Sequence, residues 1–329
     1  MAIAAELTKL APDFEIRFVS YGTGAGTFGA HGHAAADLQL PDDPPPLEVL
    51  IRTSRWLERN RPSLAVVHEE PMAVAACRIF QVPAIYLTDW FDDPASLEME
   101  ALHYASEVVV LAEPGLTAEP PHLQGRIRYA ERVVRPLAYT RADRDRARAE
   151  LGIAPDACVI SILPGGWATE ARASIGDLID FAIAGWPIEN TRWFWIAGAD
   201  TAALAHRFRH RPGVTFLEYQ PVIERLMCAS DVAITKANRG TVLELDTLGV
   251  PTVSITHGLN PIDEKLIAPL VNNRTFHSRS LTPQALVSTL LEARERGPIE
   301  SSVRRDGARK AAAHIAMFAH RTALAKLAP

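Results

Sequence analysis

The chain has 329 residues, of which 48% are hydrophobic and 22% charged, so its composition indicates a globular protein long enough for two domains and excludes a disordered chain. A net charge of −5 argues against a nucleic-acid-binding protein, which needs a surplus of Lys and Arg. The three cysteines lie far apart without a C-x-x-C pair, so neither a disulfide framework nor a thiolate metal site is predicted. Only five of the 34 Lys and Arg residues are lysine, which is typical of a GC-rich bacterial genome.

The N-terminal segment MAIAAELTKL carries Glu6 and Lys9 and lacks the apolar run of a secretory signal. No segment reaches the ~18 uninterrupted apolar residues that a membrane span requires. We therefore expect a soluble, cytoplasmic protein with no transmembrane segment, and peripheral contact with a membrane stays open.

The first half of the chain alternates short β-branched runs with helical patterns, as parallel strands covered by helices on both faces do. The predicted strands are Glu15–Tyr21, Leu64–His68, Ala84–Thr88 and Glu107–Ala112, and the predicted helices are Leu47–Asn60, Met72–Phe80 and Ala95–Ala105.

A second series of strands follows the arginine-rich stretch RPLAYTRADRDRARAELG, which is interpreted as a solvated connector plus one helix. Its predicted strands are Cys158–Leu163, Arg192–Ala197, Val214–Leu217, Asp231–Thr235 and Pro251–Ile255, and a last helical pattern covers Ser302–Leu327. Two similar α/β domains result, an N-terminal one over residues 1–145 and a C-terminal one over residues 146–329.

The segment from residue 229 to 268 carries the most chemical information. The run DVAIT reads as a buried strand, KANRG as a turn, and TVLELDTLG as a helix that ends at Gly249. A helix N-terminus at the carboxyl end of a parallel strand collects anions, commonly phosphate. The residues at that N-terminus would be Asn238, Arg239, Gly240 and Thr241, and Glu244 would lie one turn further along, where its carboxylate can accept hydrogen bonds from sugar hydroxyls.

A purely structural interpretation of the same residues exists. T-x-x-E is itself a helix-start signature, in which Thr241 caps the helix and Glu244 is its capping-box partner. Spacing alone favours this second interpretation.

The stretch from Asp231 to Ala268 resembles, without gaps, the donor-binding segment of GT-B glycosyltransferases, especially the MurG-like group and the UDP-glycosyltransferases. The shared order is strand, turn, T-x-x-E-L helix, G-x-P, strand, and a short polar loop. The resemblance implies the GT-B fold, an α/β architecture with two Rossmann-like, doubly wound parallel-sheet domains facing a cleft.

The resemblance also implies roles for individual residues. Glu244 would hold the ribose of the donor nucleotide, and the turn at residues 237–241 with Lys236 would face its diphosphate. Asp263 and Glu264 fall where the family has its Asp-Gln or Gln-Gln pair for the donor sugar. The family's glycine-containing turn is here Lys236-Ala237-Asn238, and Asn tolerates the left-handed backbone better than most residues, so this turn would survive.

Further stretches of the second domain match the family more loosely. The resemblance places Gly165 and Gly166 in a loop near the diphosphate, Gln220 and Pro221 beside the base, and His257 near phosphate or sugar. A plain turn for the glycine pair and an incidental loop residue for His257 remain alternatives.

The first domain resembles the family from its first helix onward, because AIAAEL and EIRFVSYG match a first helix and second strand directly after Met1. We expect a preceding strand and glycine loop, encoded upstream of Met1. The resemblance further implies that the final helix packs back on the first domain through Ile315, Met317 and Phe318.

Transfer to an acceptor hydroxyl needs a base that removes its proton. The acids Glu69 and Glu70 follow the predicted strand at Leu64–His68, and His31 and His33 lie in a glycine-rich loop; His68 and Asp89 are further candidates. Solvated loop acids are the alternative interpretation of the glutamate pair, so the catalytic residue stays unassigned.

The family resemblance predicts an inverting, metal-independent glycosyltransferase that takes a nucleotide diphosphate sugar, a UDP-sugar, as donor, with no metal site and no cofactor. Its acceptor, whether a small molecule, a glycan or a lipid-linked molecule, cannot be read from the sequence. The alternatives are a nucleotide-sugar hydrolase or 2-epimerase on the same fold, and a non-catalytic sugar-nucleotide binding protein.

Overall fold

The computed structural model describes residues 1–91, 97–116, 118–164, 169–197, 201–211, 213–218, 220, 222–256, 267–301, 304 and 306–327. The chain forms two compact units. Unit 1 combines Met1–Arg135 with Arg304–Pro329, and unit 2 is Pro136–Val303. Both contain parallel sheets and helices, so the predicted α/β class is confirmed.

The elements are numbered along the part of the chain that the structure describes. The strands are β1 (Phe18–Ser20), β2 (Ala35–Asp37), β3 (Ala65–His68), β4 (Ala84–Thr88), β5 (Glu107–Val110), β6 (Ile127–Tyr129), β7 (Cys158–Leu163), β8 (Thr191–Ile196), β9 (Val214–Leu217), β10 (Val232–Lys236), β11 (Thr252–Thr256) and β12 (Asn273–His277). The helices are α1 (Ala2–Leu10), α2 (Gly22–Ala30), α3 (Pro46–Asn60), α4 (Pro71–Ile79), α5 (Leu97–Ala101), α6 (Arg144–Glu150), α7 (Thr169–Ala184), α8 (Thr201–Arg207), α9 (Glu224–Ala229), α10 (Arg239–Thr247), α11 (Pro283–Arg296) and α12 (Gly307–Leu327).

Unit 2 contains a six-stranded sheet in the order β12-β11-β10-β7-β8-β9, and all its neighbouring strands are parallel. This is the doubly wound order of the Rossmann fold. The chain starts at the central strand β7, adds β8 and β9 on one side, and then returns to add β10, β11 and β12 on the other side. The strand order therefore reverses between β7 and β10. In such sheets ligands bind beyond the carboxyl ends of the strands at this switch point.

The central strands β7, β8 and β10 of unit 2 carry apolar residues on both faces, and helices cover both. One buried cluster contains Ile160, Ile162, Trp193, Trp195, Ile234 and Ile255 with residues of α7 and α11, and the other contains Val159, Leu163, Phe194 and Ala233 with residues of α9 and α10. The tryptophans of β8 thus belong to the core, as predicted from their bulk.

Unit 1 has two parallel sheets, the pair β1-β2 and a four-stranded sheet in the order β3-β4-β5-β6. A core cluster joins the four-stranded sheet, through Ile85, Leu87 and Val109, to Leu7 of α1 and Ile315 of α12. The terminal helix therefore shares its core with the first part of the chain. Phe318 packs against this cluster, whereas Met317 is 58% exposed, so the expectation for Met317 was wrong.

The start of α12 lies very close to the chain that follows β6. A Cβ atom on Gly307 would overlap the carbonyl oxygen of Arg132 and lie 3.0 Å from that of Ala130. We expect Gly307→Ala to lower the free energy of unfolding by about 1–3 kcal/mol, because the backbone must shift to admit the methyl group. Chemical denaturation measures the difference.

The matched control is Gly26→Ala in α2, where nothing lies within 4 Å of an added Cβ. This change should leave stability unchanged or raise it, since Ala has the higher helix propensity. Equal behaviour of the two variants would show that α12 does not approach residues 130–132 so closely.

Several short or glycine-rich elements were not predicted from the sequence. The sequence GTGAGTFGA forms α2, where a loop was expected; the carboxylate of Asp42 accepts a hydrogen bond from the Thr23 amide at the start of this helix, and Phe28 packs on Phe18. These contacts offset the low helix propensity of glycine. The strands β2, β6 and β12 and the helix α11 were also not predicted.

Among the described helices, none has the length and apolar character needed to cross a bilayer.

Candidate functional site

The segment after β10 forms a tight turn that leads directly into α10. Lys236 is the last residue of β10, Ala237 is buried, and the Asn238 amide donates to the Lys236 carbonyl at 2.6 Å. Asn238 is the N-cap of α10, and its side chain accepts a hydrogen bond from the Thr241 amide at 3.3 Å. The helix thus begins within three residues of the strand, at the carboxyl edge of the sheet.

Two expectations about this turn are corrected by its geometry. Asn238 has φ −97° and ψ 121°, an extended conformation, so the turn does not use the left-handed tolerance of asparagine. Thr241 lies inside α10 and is not its cap, so the capping-box interpretation of Thr241 with Glu244 is wrong. The cap is Asn238 because an extended residue immediately before the helix can turn its side-chain oxygen onto the first amides.

The turn lies at the switch point of the unit 2 sheet. β10 pairs with β7 there, and the hydroxyl of the buried Thr235 donates to the Leu163 carbonyl at 2.8 Å, which joins the ends of the two strands. Gly165 and Gly166 follow β7 in the sequence and lie outside the described residues.

The charged residues of this edge are partly covered. Lys236, Arg239 and Glu244 are half-buried, Gly240 and Asn238 are exposed, and each of the three charged side chains has contacts within the protein. Helix N-termini carry partial positive charge. The start of α10, together with Lys236 and Arg239, is therefore suited to an anionic ligand.

Of the remaining donor-site candidates, only Gln220 lies in the described part of the chain. Gln220 follows β9, which β8 separates from β7, and its amide donates to the Glu218 carbonyl at 3.1 Å. Six predicted residues lie outside the described part of the chain, namely Gly165, Gly166, Pro221, His257, Asp263 and Glu264.

The far end of α10 is fixed by a buried carboxylate that the sequence analysis did not single out. Asp246 accepts hydrogen bonds from the main-chain and side-chain amides of Asn272, both at 3.1 Å, and from the Ser301 hydroxyl at 2.5 Å. Since Asp246 and Asn272 are both almost fully buried, this network holds α10 at a fixed position.

A buried arginine supports β7 and β10 from the opposite end of the sheet. Arg148 of α6 is only 1% exposed, although the sequence RDRARAE reads as a solvated helix. Its guanidinium donates to three main-chain carbonyls, those of Ala229, Pro155 and Ala157, at 2.9–3.0 Å. It also donates to the carboxylate of Asp231 at 2.7 Å.

Asp231 completes this arrangement at the start of β10. Its carboxylate accepts the Val159 amide of β7 at 2.8 Å and the guanidinium groups of Arg144 and Arg148. Burial by itself would raise the pKa of Asp231, but the Val159 amide and the two arginines outweigh it and lower the pKa. The carboxylate is therefore charged at neutral pH and joins the two strands that border the switch point.

In unit 1, Glu70 is occupied by structural contacts. It is the N-cap of α4, accepting the Met72 amide at 3.3 Å, and it accepts a short hydrogen bond from the Tyr21 hydroxyl. Burial and this bond to Glu70 raise the pKa of Tyr21. Glu70 is thus a weaker candidate for a catalytic base than Glu69.

His31 and His33 lie in the short loop between α2 and β2, which contains Gly32, and the glycines that precede them belong to α2. His31 is the C-cap of α2, and the ring of His33 packs on Phe18 of β1 with centroids 5.1 Å apart. Their positions follow from the formation of α2.

Glu69 belongs to a group of three side chains, which we call the β3–β4 cluster, made of His68, Glu69 and Asp89. Their nitrogen and carboxylate atoms lie within 4.8 Å of one another. His68 ends β3 and Asp89 follows β4, and adjacent parallel strands bring these two positions together at their carboxyl ends. Within the described residues, this is the single group of three or more metal-ligating side chains so placed.

No protein-family model and no curated protein sequence matches the chain. Solved structures match over nearly its whole length. MurG of Acinetobacter baumannii gives a TM-score of 0.56 at 14% identity, covering 97% of this chain and 95% of that one. The glycosyltransferase SnogD from Streptomyces nogalater gives a TM-score of 0.61 at 18% identity, and the match covers 100% of this chain and 95% of that one.

The UDP-GlcNAc 2-epimerase from Methanocaldococcus jannaschii is similar to the same degree, with a TM-score of 0.61 at 10% identity and coverage of 97% and 96%. At these identities the similarity concerns the fold. The similarity of fold spans both units. The chain has the GT-B fold of the glycosyltransferases, built from two Rossmann-like units.

Proposed function

We propose that unit 2 binds a nucleotide diphosphate sugar, a UDP-sugar, and that the protein transfers the sugar with inversion to an acceptor hydroxyl. The observation that carries this proposal is the turn from Lys236 to Asn238, which starts α10 at the switch point between β7 and β10. A diphosphate is the ligand that this geometry suits, because main-chain amides and the helix dipole act on it together.

The chemistry of the leaving group gives Lys236 and Arg239 a role. When the bond between sugar and diphosphate breaks, negative charge grows on the diphosphate, and a fixed positive environment lowers the energy of that transition state. Both residues border the start of α10 and carry the charge that this step needs. The proposed donor site therefore works without a metal ion.

The nucleotide and sugar would be held by acidic and amide side chains. Glu244, half-buried on α10, is proposed to accept hydrogen bonds from the ribose hydroxyls. Asp263 and Glu264 are proposed to face the donor sugar, and Gln220 the base. Glu264 accepts hydrogen bonds but cannot donate them, so it would favour sugars that present hydroxyl or amide donors.

Acceptor activation is proposed for unit 1. The base must reach a hydroxyl proton, and the carboxyl ends of parallel strands are where α/β enzymes place such groups. Of the six candidates from the sequence, three lie together at such an end, Glu69 with His68 and Asp89, and Glu69 is proposed as the base. The chemical class of the acceptor stays open.

A second candidate function is 2-epimerisation or hydrolysis of the nucleotide sugar. It is favoured by the similarity to the UDP-GlcNAc 2-epimerase from Methanocaldococcus jannaschii. The two functions differ in what they consume. A transferase releases UDP only when an acceptor is present, whereas an epimerase inverts C2 of the sugar and a hydrolase releases free sugar without one.

The test is a panel of nucleotide diphosphate sugars, followed by thermal unfolding and then by turnover. Ligands that bind only the folded state raise its stability by about 2.7 kcal/mol at one hundred times their Kd. We expect UDP-sugars to raise Tm more than ADP- or GDP-sugars. NMR of the best donor, with and without candidate acceptors, then separates transfer from epimerisation and hydrolysis. An unchanged Tm with every nucleotide sugar of the panel would contradict the proposal.

A further inference from the structure

The β3–β4 cluster in unit 1 combines one imidazole with two carboxylates. The side chains of His68 and Glu69 are exposed and that of Asp89 is half-buried. Carboxylates held this close repel each other unless a positive charge lies between them. A cation bound between the two carboxylates would relieve this repulsion.

The main chain fixes all three positions. His68 lies opposite Leu87 in the register of β3 and β4, and the Glu69 amide donates to the Leu87 carbonyl at 3.2 Å. Glu69 has φ 51°, the left-handed region that non-glycine residues seldom adopt, and its carboxylate accepts the Asp89 amide at 3.4 Å. This conformation keeps the Glu69 carboxylate beside Asp89 and does not let it extend along the strand direction.

We propose that His68, Glu69 and Asp89 bind a divalent transition-metal ion of the zinc type. An imidazole nitrogen with carboxylate oxygens is a ligand set that Zn²⁺ and its neighbours in the first transition row accept, and that Mg²⁺ and Ca²⁺, which prefer oxygen alone, do not favour. Three protein ligands leave at least one coordination position for water or another small ligand.

The distances permit this coordination after small side-chain rotations. Ligand atoms at about 2.0–2.2 Å from a zinc ion lie roughly 3.0–3.6 Å apart. The three atoms are now within 4.8 Å of one another, and the two exposed side chains can rotate to close the difference. The competing arrangement is a protonated His68 between the two carboxylates, with no metal.

The experiment titrates the full-length protein, free of any affinity tag, with Zn²⁺ by calorimetry and with Co²⁺ by visible absorption. We expect one equivalent to bind, and a Co²⁺ spectrum of four- or five-coordinate geometry. His68→Gln and Asp89→Asn should each weaken binding by at least about tenfold. Glu69→Gln, which changes no backbone conformation, provides a third variant if either of the others fails to fold.

The matched control is His210→Gln. His210 lies 3.7 Å from Asp180 of unit 2, which also pairs with Arg211, so this His-Asp contact sits beside a cation and not beside a second carboxylate. It should leave Zn²⁺ affinity unchanged. The proposal is overturned if no single equivalent binds, or if folded His68, Glu69 and Asp89 variants bind Zn²⁺ as well as the unchanged protein does. A Glu69 carboxylate bound to the metal ion would not be available as the base proposed for acceptor activation, so metal binding here would assign that base to another residue. The readout is metal binding and not turnover, so its result is independent of the donor site proposed for unit 2.

Discussion

Replacing Asp231 with Ala is expected to lower the free energy of unfolding of unit 2 by about 3–5 kcal/mol, because it leaves the charge of the buried Arg148 without its carboxylate partner. The change also removes the acceptor for the Val159 amide, so β7 loses a hydrogen bond to the residue that precedes β10. Urea denaturation followed by tryptophan fluorescence measures this loss, since Trp193 and Trp195 are buried in the same unit.

The pH dependence gives an independent check. The pKa of Asp231 is lowered in the folded protein, so its contribution to stability is fully present above its unfolded pKa and is lost as the pH falls through the folded value. The difference between the unchanged protein and Asp231→Asn should therefore be largest near neutral pH and shrink below about pH 4.

A surface aspartate of the same unit serves as control. Asp177 pairs with Arg207, and both side chains are well exposed. Asp177→Ala should lower the free energy of unfolding by less than about 1 kcal/mol. An equal effect at Asp177 and Asp231 would contradict the assignment of Arg148 as a buried, fully bonded cation.

Replacing Glu244 with Ala is expected to lower the affinity for UDP and for the UDP-sugar by about tenfold or more. Hydrogen bonds from ribose hydroxyls to a carboxylate are worth about 1.5–3 kcal/mol each, and every 1.4 kcal/mol changes Kd about tenfold. Calorimetric titration with UDP measures the change, and circular dichroism with Tm shows that the fold is retained.

Two further variants are compared with Glu244→Ala in this measurement. Glu292→Ala removes an exposed glutamate of unit 2, which pairs with Arg274 on the surface, and should leave UDP affinity unchanged. Glu244→Gln keeps a hydrogen-bond acceptor but loses the charge, so its affinity should fall between those of the unchanged protein and Glu244→Ala. Unchanged affinity in a folded Glu244→Ala protein would place the ribose elsewhere.

Long apolar runs made much of the fold predictable. The bounds of β4 and β7 agree with those read from AIYLT and CVISIL, because strands buried on both faces consist of continuous apolar residues. The strand-turn-helix pattern around Asn238 could also be predicted from the sequence, although the capping-box alternative, which placed the cap at Thr241, was wrong. β12, with the sequence NRTFH, lies at the edge of its sheet, and edge strands lack the continuous apolar signal.

Features that depend on distant pairing were not predictable from local sequence. Arg148 reads as one of several solvated arginines, and only its contact with Asp231, 83 residues away, makes it a buried residue. The β3–β4 cluster likewise depends on strand register, which brings His68 to Asp89 across 21 positions of sequence. Glycine content argued against a helix at α2, and the Asp42 and Phe18 contacts reversed that preference.

Unit 2 is proposed to bind the nucleotide where β10 turns into α10. Hydrogen–deuterium exchange of the protein, with and without saturating UDP, measures this binding along the chain. We expect slower exchange in peptides covering residues 236–244 and unchanged exchange in α11. No change over residues 236–244 in the presence of bound UDP, with protection confined to another part of the chain, would contradict it.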